Sequence, residues 1–387
     1  MKKILIGLVT TLVFLTPMNQ ANAEEDQYEF AEEATSAILM ERDTGTILFE
    51  KNSQEKLPPA SMTKIMTMLL IMEALDNEEI TWEDTVRVSE KAASMGGSQI
   101  FLEPGEEMTV KELMKGIAIA SGNDATVAMA EFLAGSEEEF VKEMNQKAKE
   151  LELENTTFQN TNGLPAANHE TSAYDMAVMA KELLKHEEIT EYTSLYEDYL
   201  RENTDNPFWL VNTNKLVKFY PGADGLKTGF TREAMYCLTA SANKDGMRMI
   251  AVVMGAPSPK ERNRQVTEMF DYAYSQFALH TQHEATDILG EVKVDKGAES
   301  SVSVSAKEPV SILMKKGEKT DGLLEKTVWK EDVRAPIQKG DELGTISLER
   351  DGETLLSMPL IATEDVEEAS FWRLMKRTSE VLFGNAS

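Results

Sequence analysis

The sequence predicts an α+β fold: an antiparallel sheet packed with helices, then a small all-β domain, then an amphipathic C-terminal helix. Three observations carry this. Apolar runs on either side of Gly45, and again on either side of Gly246, have the form of β-hairpins, and helix-period segments lie between the two pairs. From Glu284 onward, apolar residues alternate with polar ones between glycine turns. The last stretch, 366–387, sorts its apolar and charged residues onto opposite sides of a helical wheel.

In chain order, Lys2 and Lys3 precede an apolar run from Ile4 to Leu15, and Ala21-Asn22-Ala23 offers a small-x-small cleavage site. That is the pattern of a secretory signal peptide over residues 1–23. The mature chain is expected to start near Glu24 and to work outside the cytoplasm. Its larger domain is expected over 27–280. Ala37–Met40 and Thr46–Glu50 read as a hairpin around Gly45. Asn52–Leu57 then leads into Pro58-Pro59-Ala60-Ser61-Met62-Thr63-Lys64. Pro59 suits a helix start because it pre-sets φ and has no N–H to lose. The apolar residues from Ile65 to Leu75 cover nearly the whole circumference, which predicts a buried helix.

Gly96-Gly97-Ser98-Gln99 reads as a loop able to line a site. Thr109 and Glu112 have capping-box spacing for a helix over Val110–Ile119. Ser121-Gly122-Asn123-Asp124 is a short loop before a helix over Ala125–Leu133. A helix stop at Gly122 and an N-cap at Asn123 or Asp124 account for it structurally. Ser136–Leu151 is a charged amphipathic helix. Asn162-Gly163-Leu164-Pro165 is irregular. His169, just before the capped helix Ala173–Leu184, can touch substrate or make a structural hydrogen bond. Ile189–Leu200 is a helix or an irregular stretch. Lys227-Thr228-Gly229 is expected at or near the end of a strand, with Gly229 permitting close approach of a backbone or ligand. Ala234–Ala240 and Met247–Gly255 form the second hairpin, and Arg262–Phe277 a helix packed over the sheet.

The small all-β domain is expected over 284–365. In the tail, Phe371, Trp372, Leu374, Met375, Val381, Leu382 and Phe383 oppose Arg373, Lys376, Arg377 and Glu380. This suits a helix lying on a membrane surface, or one docked on the β domain; it is too short and too charged to span.

The formal charge is −28, and about −30 once Lys2 and Lys3 leave with the signal. A nucleic-acid partner is excluded, because phosphate binding needs clustered positive charge. The single cysteine, Cys237, rules out an intrachain disulfide and reads as a buried, inert thiol in a core strand.

Ser61 and Lys64 stand three apart at the start of a buried helix, so they share one face. Burial favours the neutral amine of a lysine. A neutral amine can take the proton of a neighbouring serine, the pairing that covalent catalysis by serine requires. A capping serine and a snorkelling lysine explain the same four residues structurally. Read together, Ser61-x-x-Lys64, Ser121-x-Asn123 and Lys227-Thr228-Gly229 fall in the order found in penicillin-binding proteins and serine β-lactamases. On these motifs, at 58–64, 121–124 and 226–230, the chain resembles the low-molecular-mass penicillin-binding proteins, the serine-type D-alanyl-D-alanine carboxypeptidases. The signal peptide, terminal β domain and amphipathic tail match that family's layout, so the resemblance covers the mature chain. Gly122 stands where many β-lactamases have Asp, which points to the carboxypeptidase branch.

The resemblance implies a β-lactamase/penicillin-binding-protein-like fold and a two-step acyl transfer. Ser61 would attack the carbonyl between two terminal D-alanines of a peptidoglycan stem peptide, with Lys64 as base. Ser61 and Phe230 backbone N–H groups would form the oxyanion hole. Ser121 would help protonate the leaving D-alanine, and Asn123 would hold the acyl chain and order Lys64. Lys227 and Thr228 would bind the terminal carboxylate, beside Gly229. No metal or other cofactor is implied, and β-lactams should acylate Ser61. Endopeptidase or transpeptidase activity on crosslinked strands is the main alternative. A β-lactamase and a non-catalytic wall-binding protein are the others. The enzyme is expected to be exported and held to the outer face of the cytoplasmic membrane through 366–387.

Overall fold

The computed structural model describes residues 30–202, 204–373 and 375. The signal peptide expected over 1–23, and residues 376–387 of the expected surface helix, lie outside them.

The central sheet has five strands: β1 (Ser36–Glu41), β2 (Ile47–Lys51), β3 (Ala223–Thr231), β4 (Met235–Lys244) and β5 (Met247–Ala256). Their order is β2-β1-β5-β4-β3, and every pair is antiparallel. Both hairpins expected from the sequence are present, and β1 pairs with β5 to join them. Ala37 and Leu39 face one core, with Val266, Met269 and Phe270. Ile38 and Met40 face a second, with Met62, Ile65 and Met68. The sheet is covered on both faces, which is why its strands read as continuous apolar runs and not as alternations.

The helices that matter for the site are α1 (Lys64–Asp76), α2 (Val110–Ala118), α3 (Asn123–Ala134), α4 (Glu137–Glu150), α5 (Ala173–Leu183) and α6 (Pro259–Gln276). A 3₁₀ turn, Ala60–Thr63, precedes α1, so the helix expected from Pro59 opens with a tighter turn. Thr109 and Glu112 form the anticipated capping box on α2. The N-terminus of α3 differs from expectation. Gly122 is its N-cap, and Asn123 and Asp124 lie inside the first turn. Their side chains are engaged elsewhere: Asn123 on Lys64, and Asp124 on the backbone N–H groups of Ile100 and Leu102. The 189–200 stretch is a short helix, Ile189–Thr193, and a strand, Glu197–Leu200, paired with Phe208–Val211. Cross-strand pairing of Tyr199 with Trp209 and of Leu200 with Phe208 favours strand there.

From α6 the chain runs directly into a strand, Phe277–His283, that pairs with Val310–Lys315. A five-stranded antiparallel sheet of the smaller, all-β unit follows, with its own core of Val302, Val304, Ile346, Leu348 and Leu360. Val366 is buried in that core and bridges to Ile337, and the Ala369 N–H donates to Lys296 O. Among the described residues, no helix is long and apolar enough to cross a membrane.

Candidate active site

The site is built on the 3₁₀ turn. Ala60, just before Ser61, has φ +48°, a left-handed conformation uncommon for a residue with a Cβ. Two glycines let other backbones press against the turn. A Cβ on Gly163 would sit 1.8 Å from Ala60 O, and one on Gly229 would sit 2.7 Å from Pro59 O. Lys227, Thr228 and Gly229 stand in the second half of β3, and Gly229 is two residues short of its end, since the ladder with β4 runs on to Thr231↔Met235. This agrees with the expected place at or near the end of a strand. It sets Gly229 against the nucleophile's turn.

Lys64 is fully buried. Its Nζ lies 3.2 Å from Ser61 Oγ, 2.7 Å from Asn123 Oδ1 and 2.7 Å from Asn162 O. The Asn123 Nδ2 donates to Gly96 O at 2.7 Å, which turns its Oδ1 toward the lysine. Two amide oxygens can only accept, so they take two N–H groups. A neutral amine then has one position left, its lone pair, and that position faces the Ser61 hydroxyl. Burial holds the amine well below the ordinary lysine range; the charge of Lys227 adds to this, and Asp124 opposes it.

Ser61, Ser121, Thr228, Gly229 and Phe230 line one cleft of about 610 Å³. Ser121 is buried, has φ +64° and stands in the short link between α2 and α3. Lys227 is buried, with Nζ donating to Thr228 O at 3.2 Å; burial first, and Arg262 second, bring its pKa down to about 7. The Thr228 hydroxyl donates to Thr213 Oγ1 at 2.8 Å. Phe230 is about half exposed and stacks on Tyr236 at 4.4 Å. Of the eight residues singled out in the sequence, five line this cleft, Lys64 and Asn123 are bonded to each other beside Ser61, and Lys227 is buried next to Thr228 on β3. Among the described residues no group of His, Cys, Asp and Glu could hold a metal ion.

The D-alanyl-D-alanine carboxypeptidase family profile matches residues 20–258, and the profile of the penicillin-binding protein 5 C-terminal domain matches 277–368. The D-alanyl-D-alanine carboxypeptidase DacF of Bacillus subtilis (strain 168) is 60% identical over 381 residues, 98% of each chain. The chain belongs to the D-alanyl-D-alanine carboxypeptidase family. Penicillin-binding protein 5 from Haemophilus influenzae matches in structure with a TM-score of 0.70 at 30% identity, over 88% of this chain and 99% of that one. Penicillin-binding protein D2 from Listeria monocytogenes, in its ampicillin-bound form, matches with a TM-score of 0.56 at 30% identity, over 62% of this chain and 96% of that one.

Three residues of this carboxypeptidase site were not singled out by sequence reasoning. Asn162 offers its carbonyl to Lys64, and its own Nδ2 is buried without a protein partner. Thr213 fixes Thr228 and donates its N–H to Ile119 O, tying β3 to the end of α2. Arg262 is a buried guanidinium lining the cleft, held by Cys237 O and Asn263 Oδ1. A carbonyl contact and a long-range hydroxyl pair leave no local pattern. The one available signal was Arg262, a charge on the buried face of a helix. His169 makes structural bonds, to Thr63 and Gln159, and Cys237 is buried with its thiol pKa pushed up to about 11.

Proposed function

We propose that the chain is a serine-type D-Ala-D-Ala carboxypeptidase that removes the terminal D-alanine of peptidoglycan stem peptides through an acyl-enzyme on Ser61. The observation that carries this reading is the buried Lys64 amine, 3.2 Å from Ser61 Oγ, with two amide oxygens as its other neighbours. Ser61 attacks the carbonyl between the two D-alanines and its proton passes to Lys64. Backbone N–H groups of Ser61 and Phe230 receive the developing oxyanion; their worth lies in being aimed before charge appears. Ser121 relays the proton to the leaving D-alanine. Asn123 orders Lys64 and meets the acyl chain. Lys227 and Thr228 take the terminal carboxylate, with the Arg262 guanidinium adding positive charge to that side of the cleft. Water then cleaves the ester and restores Ser61. β-Lactams acylate the same serine.

The reading also divides the chain: a catalytic domain to about 280, the β domain after it, and an exported enzyme attached to the outer face of the cytoplasmic membrane. Because Val366 and Ala369 are tied into the β domain, we place the start of the surface helix at Phe371. The test is D-alanine release from a diacylated peptide ending in D-Ala-D-Ala, abolished by Ser61→Ala and by prior exposure to penicillin. A wild-type protein that releases no D-alanine would refute the assignment.

A further inference from the structure

We propose that His169 is a positioning residue that orients the Ser61 backbone N–H through Thr63. The inference deepens the reading above and rests on it, since it concerns the oxyanion donor of the same site.

The chain of bonds has one consistent direction. The Gln159 N–H donates to His169 Nδ1 at 3.0 Å, so Nδ1 carries the lone pair and Nε2 carries the proton. Nε2 lies 2.8 Å from Thr63 Oγ1 and donates to it. The Thr63 hydroxyl, its lone pair so used, donates to Ala60 O at 2.8 Å. His169 and Thr63 are both buried, so neither bond is readily replaced by water.

The last acceptor matters most. Ala60 C=O and Ser61 N–H belong to one planar peptide and point in opposite directions. A donor that fixes the carbonyl therefore fixes the N–H. This peptide needs fixing, because Ala60 is held at φ +48°. Gly163 crowds it from one side, its virtual Cβ falling 2.2 Å from Ala60 C and 2.9 Å from Ser61 N. Steric pressure limits where the peptide can lie, and the Thr63 hydroxyl selects which way its carbonyl points. Oxyanion stabilisation depends on donors being aimed in advance, so a small rotation here reduces rate more than it reduces ground-state binding.

The surroundings keep the histidine neutral. Phe158 packs edge-on at 5.9 Å between centroids, and burial brings the His169 pKa down to about 4. The charged groups beside it, Glu170 paired with Lys56 at 3.3 Å and Glu233, line the neighbouring groove.

The test compares His169→Gln with His169→Asn. Glutamine can place an amide N–H where Nε2 was and keep the bond to Thr63. Asparagine can keep an acceptor where Nδ1 was but cannot reach Thr63. Rates are measured per penicillin-titrated site, so misfolded protein does not count. His169→Asn and Thr63→Val should each slow acylation by about tenfold or more, with KM for the D-Ala-D-Ala peptide little changed. Their combination should add little, because both break one relay. His169→Gln should recover most of the rate. Equal rates in wild type and His169→Asn, or equal losses in the Gln and Asn variants, would overturn the relay. If the wild type itself took up no penicillin, the assignment of Ser61 would fail first, and the relay with it.

Discussion

At the Lys64 amine, two of three neighbours are amide oxygens and the third is the nucleophile's hydroxyl. This arrangement distinguishes a base from a buried counter-ion, and it predicts the effect of a substitution that keeps charge. In Lys64→Arg the guanidinium stays protonated and cannot accept the serine proton. Acylation by penicillin, followed by stopped flow, should fall about 10²–10⁴-fold, the usual worth of a general base. An unchanged rate would remove Lys64 from the role. Lys227 works with the opposite protonation state. Its pKa near 7 means that, in the empty site, its charge is present at acidic pH and lost as pH rises. Binding a carboxylate favours the charged form, so above about pH 7 KM should rise by at most about tenfold per pH unit. A peptide amidated at its C-terminus should lack that limb, and a KM independent of pH between 6 and 9 would count against Lys227 as the carboxylate site. At this scale the sequence exposed the residues whose spacing is local, Ser61 with Lys64 and Ser121 with Asn123. Asn162 escaped because it acts through a backbone carbonyl, and Thr213, in a loop, because its partner Thr228 lies in a strand farther along the chain.

Among the elements, the decisive feature is a turn gripped between two glycine-bearing segments. Pro59 and Ala60 meet Gly229 on one side, and Ala60 meets Gly163 on the other. Gly229→Ala makes the consequence measurable. Its Cβ would sit 2.7 Å from Pro59 O, so the turn must shift while the strand backbone is retained. Acylation should fall by about 10²-fold, the scale of a misplacement near 1 Å. An alanine variant acylated at the wild-type rate would show that the turn is not gripped as described. The hairpins and the capped helices α2 and α5 were legible because turn glycines and caps are local signals. The N-terminus of α3 was not, because long-range bonds to Lys64 and to the Ile100–Leu102 backbone outcompete local capping by Asn123 and Asp124. The full extent of β3 was hidden for a similar reason: it is an edge strand whose length is set by its partner β4.

The whole molecule joins this site to a second, all-β unit. An ion pair between Lys185 and Glu308 at 3.1 Å, and Lys316 Nζ on Tyr274 O at 2.7 Å, fasten that unit to the first. Its alternating valines made it readable as β from sequence, whereas the inclusion of Phe277–His283 among its pairings was not, since those residues follow a helix without a turn signal. Removing residues 371–387 should leave D-alanine release intact and move it from the membrane to the soluble fraction. Choosing Phe371 and not Val366 as the cut preserves the β core. A truncated protein that still sediments with membranes would overturn the anchor. The central claim, that the Ser61 hydroxyl is the nucleophile activated by Lys64, is tested most directly by intact-mass and peptide-mapping spectrometry after brief exposure to penicillin. The account predicts one penicilloyl group, located on Ser61 and absent from Ser61→Ala; an adduct on another residue, or none, would contradict it.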